Sequence, residues 1–140
     1  MINVRAGFFY LAVIFLSVSA NINAQSISCK NFRNGTFICK FEGNTDIIKR
    51  SGSEQLEYFN GSKKPDHYRV KWLNDCTYTL TPSAEVLAES KNLPKNIVFT
   101  VRIIKTSKDS YTQTVSDNVS NYTVTAEMNR IDFDMNLYIK

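Results

Sequence analysis

Apolar and polar residues alternate along most of this chain from residue 36 onward, which is the period of β-strands that have one buried face. Turn-forming residues such as Asn-Gly, Gly-Asn and Ser-Gly-Ser interrupt the alternation every few residues. The pattern therefore predicts eight or nine short strands, at 36–42, 46–50, 54–59, 68–72, 76–81, 97–106, 111–115, 122–128 and 131–139.

The most regular alternation lies in residues 68–81, which we interpret as a β-hairpin. Register follows the buried face, and a three-residue loop at 73–75 keeps all the apolar residues of both arms on one face. A two-residue turn at Asn74-Asp75 would split them across both faces. The expected cross-strand pairs are Trp72 with Cys76, Val70 with Tyr78, and Tyr68 with Leu80.

One segment departs from the strand period. Ser83 is a suitable N-cap for about two turns of helix at 84–90. One short helix among many strands predicts an all-β fold, an antiparallel up-and-down meander that closes into a small barrel of about eight strands. Closure suits a chain of this length because it removes exposed strand edges. A two-sheet sandwich is the alternative.

Residues 1–24 have the pattern of a secretory signal peptide. Arg5 precedes an apolar run at 6–18, and small residues then allow cleavage after Ala20 or Ala24. The run is shorter than the ~20 residues that span a bilayer, so a retained anchor is the weaker interpretation. We expect residues 25–140 to form a single antiparallel β domain that is secreted or periplasmic, without a stable membrane span after cleavage.

The charged residues do not indicate a nucleic-acid partner. The chain has 17 basic and 13 acidic residues, a formal net charge of +4. The basic residues are scattered apart from the pairs Lys49-Arg50 and Lys63-Lys64, and no basic arm or nucleic-acid motif is present. A mildly basic, solvated surface is the simpler interpretation.

Three cysteines follow the predicted signal peptide. In an oxidising compartment the simplest arrangement is one disulfide and one free thiol, with three possible pairings. Cys39 alternates with Phe37 and Phe41, so we expect it to face the core as a small apolar residue. This favours a disulfide between Cys29 and Cys76.

Few residues are candidates for catalysis. His67, the single histidine, falls on the polar face of a predicted strand, where a solvated side chain is the simpler interpretation. Asp132 and Asp134 share a strand face and could bind a cation, but a solvated surface is again simpler. The sequence contains no Gly-rich phosphate loop, nucleophile elbow or zinc-protease motif. We predict a non-catalytic protein with no metal site and no cofactor.

Two segments, CKNFRNGTF at 29–37 and WLNDCTYTLT at 72–81, resemble a group of small secreted β-rich proteins of Bacteroidota, especially flavobacteria. The resemblance covers roughly residues 29–105 and includes Cys29 and Cys76, whereas Cys39 is additional. It implies no particular activity. Some members are called DNA topoisomerase IV, but a secreted β domain of this length has no room for a DNA gate with its catalytic tyrosine and metal ligands.

The start of the first strand, Gly35 to Phe37, followed by a meander, is loosely similar to lipocalin (calycin) barrels, although Phe37 replaces the Trp of their Gly-x-Trp signature. The similarity implies an interior that could hold a small apolar ligand. Aromatic residues that could line a cavity or fill a core are Phe37, Phe41, Tyr68, Trp72, Tyr78, Phe99, Tyr111 and Phe133. A filled core is the simpler expectation because small barrels are often packed solid with side chains.

Two functional hypotheses follow from this sequence. The first is a non-catalytic binding module, in its most specific form a lipocalin-like carrier of a small apolar ligand. The second is a structural or interaction protein of the cell envelope that binds a protein partner through a sheet edge or its loops. An open space inside the barrel would favour the first hypothesis.

Overall fold

Residues 28–132 are described by the structure, a computed structural model, and they form a closed antiparallel barrel. Its eight strands follow one another in chain order, and the last pairs back with the first. The strands are β1 (Gly35–Phe41), β2 (Asn44–Ser51), β3 (Glu54–Tyr58), β4 (Asp66–Trp72), β5 (Thr77–Pro82), β6 (Phe99–Thr106), β7 (Ser110–Asp117) and β8 (Thr123–Arg130). The predicted all-β barrel is confirmed. The predicted signal peptide and most of the predicted final strand, from residue 133, lie outside the described residues.

The connections alternate between the two ends of the barrel because consecutive strands are antiparallel. We call one end the closed end; it carries the segments 28–34, 51–53, 73–76 and 107–109. The opposite end, which we call the open end, carries the segments 42–43, 59–65, 83–98 and 118–122.

The hairpin of β4 and β5 has the predicted buried face, but its predicted register is wrong by two residues. The connection between the strands is longer than the three-residue loop, and the Asn74 side chain accepts a hydrogen bond from the Cys76 amide at 3.0 Å. Cys76 therefore lies in the turn, where it bonds to Cys29, and not opposite Trp72. The observed pairs are Tyr68 with Pro82, Val70 with Leu80, and Trp72 with Tyr78.

A short 3-10 helix at Cys29–Phe32 fills the closed end. The Ser28 side chain caps it, and its Phe32 ring is fully buried against Tyr111, with ring centroids 5.0 Å apart. The predicted disulfide between Cys29 and Cys76 is confirmed, with 5.2 Å between the Cα atoms. The disulfide therefore ties this plug to the turn between β4 and β5.

Arg130, at the end of β8, holds the same plug from the other side. Its guanidinium donates hydrogen bonds to the carbonyl oxygens of Asn31 and Asn34 and lies 5.3 Å from the centre of the Phe37 ring. Gly35 has φ of +143°, and a Cβ there would lie 2.9 Å from the Arg130 Nη1 atom. Glycine is required at this position by both its backbone conformation and the close approach of Arg130.

The predicted helix is confirmed as α1 (Ala84–Glu89), within the connection from β5 to β6 at the open end. The Ser83 hydroxyl accepts a hydrogen bond from the Val86 amide at 3.3 Å, so the predicted N-cap is confirmed as well. Among residues 28–132, no helix has the length and apolar character needed to cross a membrane.

Candidate ligand-binding cavity

The interior of the barrel is packed solid at its closed end. Strand alternation turns apolar side chains of several strands into this layer, where the aromatic rings meet at tilted or edge-on angles. The side chains buried to within 1% exposure here are Phe32, Phe37, Tyr78, Tyr111 and Met128. This half of the interior has the filled core that we expected from a small barrel.

The other half of the interior is hollow. A cavity of about 320 Å³ extends from the packed layer toward the open end. It reaches the surface beside Phe41 and Phe59, whose side chains are 37% and 46% exposed. Its lining residues are Cys39, Phe41, Asp46, Ile48, Arg50, Gln55, Glu57, Phe59, Tyr68, Leu80, Phe99, Val101, Gln113, Val115, Val124 and Ala126.

The aromatic residues named from the sequence divide between these two halves. Phe41, Tyr68 and Phe99 line the cavity. Phe37, Tyr78 and Tyr111 belong to the packed layer, and Phe133 lies outside the described residues. Trp72 also lies at the closed end, because its ring is 4.5 Å from that of Tyr78 and the Arg33 guanidinium covers it at 4.8 Å.

The side chain that sequence analysis missed is Arg50, which is 1% exposed and forms part of the cavity wall. Its Nε donates to Gln55 Oε1 at 2.7 Å, and its Nη1 donates to the carbonyl oxygen of Phe32 at 2.9 Å. Its Nη2 donates to the hydroxyl groups of Tyr78 at 2.6 Å and Tyr111 at 3.1 Å. Arg50 thereby joins the plug, the packed layer and the cavity.

All four of these hydrogen-bond acceptors are neutral groups. No carboxylate in residues 28–132 lies within ion-pair distance of Arg50. Burial acts to lower the pKa of Arg50, but its interactions with Tyr78 and Tyr111 outweigh burial and leave the pKa above its ordinary value. The guanidinium is therefore a buried positive charge that donates only to neutral groups, and the nearest interacting carboxyl group, Glu57, lies beyond Gln55.

Glu57 is joined to Arg50 through one intervening side chain. The Gln55 amide accepts from Arg50 and donates from its Nε2 to Glu57 Oε1 at 2.6 Å. Burial raises the pKa of Glu57 to about 7, against the opposing effects of the Gln55 hydrogen bond and the Arg50 charge. The neighbouring carboxylates of Asp66 and Asp46 raise it further. The carboxyl group is therefore about half ionised at neutral pH.

Gln113 lies on β7 across the interior from this pair and is 7% exposed. The Tyr78 hydroxyl accepts a hydrogen bond from Arg50, so its own O–H points elsewhere and donates a hydrogen bond to Gln113 Oε1 at 3.4 Å. This hydrogen bond directs Gln113 Oε1 toward Tyr78. The side chain is part of the cavity wall, and its Nε2 is not a buried atom without a partner but is open to the cavity.

Cys39 is the free cysteine of the described chain and is buried, as the alternation of β1 predicted. Burial raises the pKa of its thiol, and the charges of Asp46 and Glu57 raise it further, so the thiol stays protonated at neutral pH. Its place in the cavity wall is that of a small apolar residue.

The other candidates for chemistry lie away from the cavity. His67 and Asp132 are both exposed, and Asp134 is outside the described residues. Within residues 28–132, no three histidine, cysteine, aspartate or glutamate side chains form a group that could hold a metal ion.

The fold and the cavity together define an eight-stranded up-and-down barrel that is filled at one end and hollow at the other. No protein-family model, no curated protein and no solved structure matches this chain.

Proposed function

We propose that this protein is a non-catalytic binding protein whose barrel holds one small molecule with an apolar body. The observation that carries the proposal is the cavity of about 320 Å³ inside the barrel. Small-molecule sites are typically concave, mostly apolar clefts of roughly 300–1,000 Å³ with a few polar groups that fix orientation. This cavity combines aliphatic and aromatic walls with the polar side chains of Arg50, Gln55 and Gln113.

The volume limits the size of the ligand. A cavity of this volume equals roughly ten water molecules at ~30 Å³ each, so it suits a ligand of about ten non-hydrogen atoms. Burying a chain of eight methylene-sized groups contributes on the order of 6 kcal/mol before the cost of association. A gain of about 6 kcal/mol corresponds to about 40 μM, so after the cost of association we expect dissociation constants of about 100 μM to 1 mM for simple apolar probes.

The disulfide supports a location outside the cytosol. Cys29 and Cys76 form a bond that persists in oxidising compartments, which agrees with the signal-peptide pattern at 1–24. We infer that the protein works as a secreted or periplasmic carrier or sensor of its ligand. The loose resemblance of the first strand to lipocalin barrels, and of residues 29–37 and 72–81 to small secreted proteins of Bacteroidota, would accord with this role.

Calorimetric titration with 1-octanol tests the proposal, because this probe is neutral, apolar and of the right size. The unmodified protein should bind about one molecule. Val124→Phe, which adds volume to the cavity wall, should abolish binding. Val119→Phe is the matched control, because Val119 lies in the β7–β8 turn with 54% exposure. Equal binding by both variants, or no binding by the unmodified protein, would contradict the proposal.

A further inference from the structure

The geometry points to a specific ligand class: a small molecule with an apolar body and one terminal carboxylate, whose carboxylate lies against Gln113 near Arg50 at the inner end of the cavity. This inference rests on the proposed function and specifies the chemistry of the same site. Two observations on opposite sides of the interior carry it.

The first observation is the charge of Arg50. Its guanidinium is 1% exposed, forms part of the cavity wall, and donates only to neutral oxygen atoms. Buried charges are ordinarily paired because removing them from water is costly. A ligand carboxylate at the inner end of the cavity would place a negative charge nearer to Arg50 than the Glu57 carboxyl group, without displacing the hydrogen bonds that hold Arg50 in place.

The second observation is the unused donor of Gln113. This side chain is 7% exposed, and the hydrogen bond from Tyr78 engages its Oε1 and leaves its Nε2 open to the cavity. Arg50 and Gln113 share the Tyr78 hydroxyl as a hydrogen-bond partner, so the two donors lie close together. Because Gln113 lines the cavity, its N–H can donate to an acceptor oxygen of a ligand, and a carboxylate oxygen is the strongest acceptor available to an uncharged amide.

The arrangement determines how the ligand is oriented. Arg50 and Gln113 lie where the cavity meets the packed layer, whereas Phe41 and Phe59 lie at its opening and the carboxyl groups of Asp46 and Glu57 line the wall nearer to that opening. The carboxylate therefore enters first, and the apolar body follows along Phe99, Val115 and Val124 toward the opening. A protonated amine in the same place would face the positive charge of Arg50 and the donor of Gln113.

The state of Glu57 should modulate the affinity for such a ligand. Its carboxyl group is linked to Arg50 through Gln55 and competes with a ligand carboxylate for that charge when it is ionised. Its pKa of about 7 means that acidification from pH 8 to pH 6 neutralises it, which should tighten binding. The titratable or charged groups that act on it from neighbouring strands are Asp46 and Arg50 on β2, Asp66 and Tyr68 on β4, and the Cys39 thiol on β1.

Calorimetric comparison of octanoate, 1-octanol and octylamine tests the inference, because the three probes share one apolar chain. At pH 6 octanoate should bind at least ten-fold more tightly than 1-octanol, and octylamine more weakly than either. Octanoate affinity should fall about three- to ten-fold at pH 8. Octanol binding equal to octanoate binding, or preferred binding of octylamine, would overturn the carboxylate assignment and leave the proposed function intact. Binding of none of the three would overturn both.

Gln113→Leu tests the direct contact. This variant should lose at least five-fold in octanoate affinity, and that loss should exceed any loss in octanol affinity. Thr112→Leu, at the adjacent outward position of β7, is the matched control and should leave both affinities unchanged. A folded Gln113→Leu protein with unchanged octanoate affinity would refute the contact. If that variant does not fold, the comparison of probes on the unmodified protein still decides the ligand class.

Discussion

Replacing Glu57 with Gln should stabilise the protein, and the gain should depend on pH. The pKa of this carboxyl rises from 4.5 to about 7 on folding, so the folded state binds more protons than the unfolded state between these values. Stability is therefore lost as the pH rises through that window, and the loss is complete above pH 7. A difference of about 2.5 pKa units sets an upper limit of about 3 kcal/mol.

The expected gain is smaller than that limit because Glu57 retains some contact with solvent. We expect Glu57→Gln to raise the free energy of unfolding by about 1–2 kcal/mol at pH 8 and by less than about 0.5 kcal/mol at pH 4.5. Gln at this position keeps an oxygen to accept the Gln55 hydrogen bond. The substitution therefore keeps this hydrogen bond and removes only the buried negative charge.

Urea denaturation followed by the fluorescence of Trp72, the single tryptophan, measures this difference. Glu54→Gln is the matched control, because Glu54 is exposed on the same strand and its replacement should change stability by less than about 0.5 kcal/mol at either pH. A Glu57→Gln gain that is the same at both pH values would refute the argument. A variant that is less stable at pH 8 would refute it more strongly.

Two further predictions concern the closed end, and urea denaturation measures both. Replacing Cys29 and Cys76 together by Ser removes a cross-link between residues separated by 47 positions. In the chain-entropy model this should lower the free energy of unfolding by about 4 kcal/mol. A loss below ~1 kcal/mol would contradict the stabilising role of the disulfide. Arg130→Met should cost about 2 kcal/mol, because it removes two charge-assisted hydrogen bonds to the plug. Arg102→Met, at an exposed position of β6, is the control, and equal losses in the two variants would contradict the account.

The barrel itself is predictable from local sequence, because each strand shows its buried face by alternation. The register of the central hairpin is not predictable in this way, because Asn74 forms a hydrogen bond inside the turn and Cys76 lies in that turn, bonded to Cys29. Alternation alone pairs Cys76 with Trp72. A local pattern carries no information about the position of Cys29, which is distant in sequence and sets this part of the register.

The polar part of the cavity could not be predicted for a different reason. Lys49-Arg50 has the appearance of a surface charge pair, and the preceding Ile47-Ile48 gives no preferred face because both are buried on opposite sides of the wall. Arg50 shares the inward face of β2 with Ile48, and the register with β3 places it opposite Gln55. Its four acceptors come from segments far apart in the chain, so no short pattern contains them.

The division of the aromatic residues likewise depends on tertiary structure. Phe37 and Phe41 have the same strand phase, yet Phe37 packs against the plug and Phe41 lines the cavity opening. The difference lies in the distance of each residue from the closed end. Alternation determines which face a side chain occupies, but whether space remains at that level of the barrel depends on the plug formed by Cys29–Phe32.

The temperature dependence of the 1-octanol binding enthalpy tests the central claim most directly, because burial of apolar surface inside the barrel gives a negative heat-capacity change. The account predicts saturable binding of about one molecule, with a binding enthalpy that becomes more negative as the temperature rises from about 10 to about 35 °C. Over roughly this range a small domain stays folded. A heat signal that does not saturate, or an enthalpy that does not change with temperature, would show that the cavity is not a binding site for an apolar ligand.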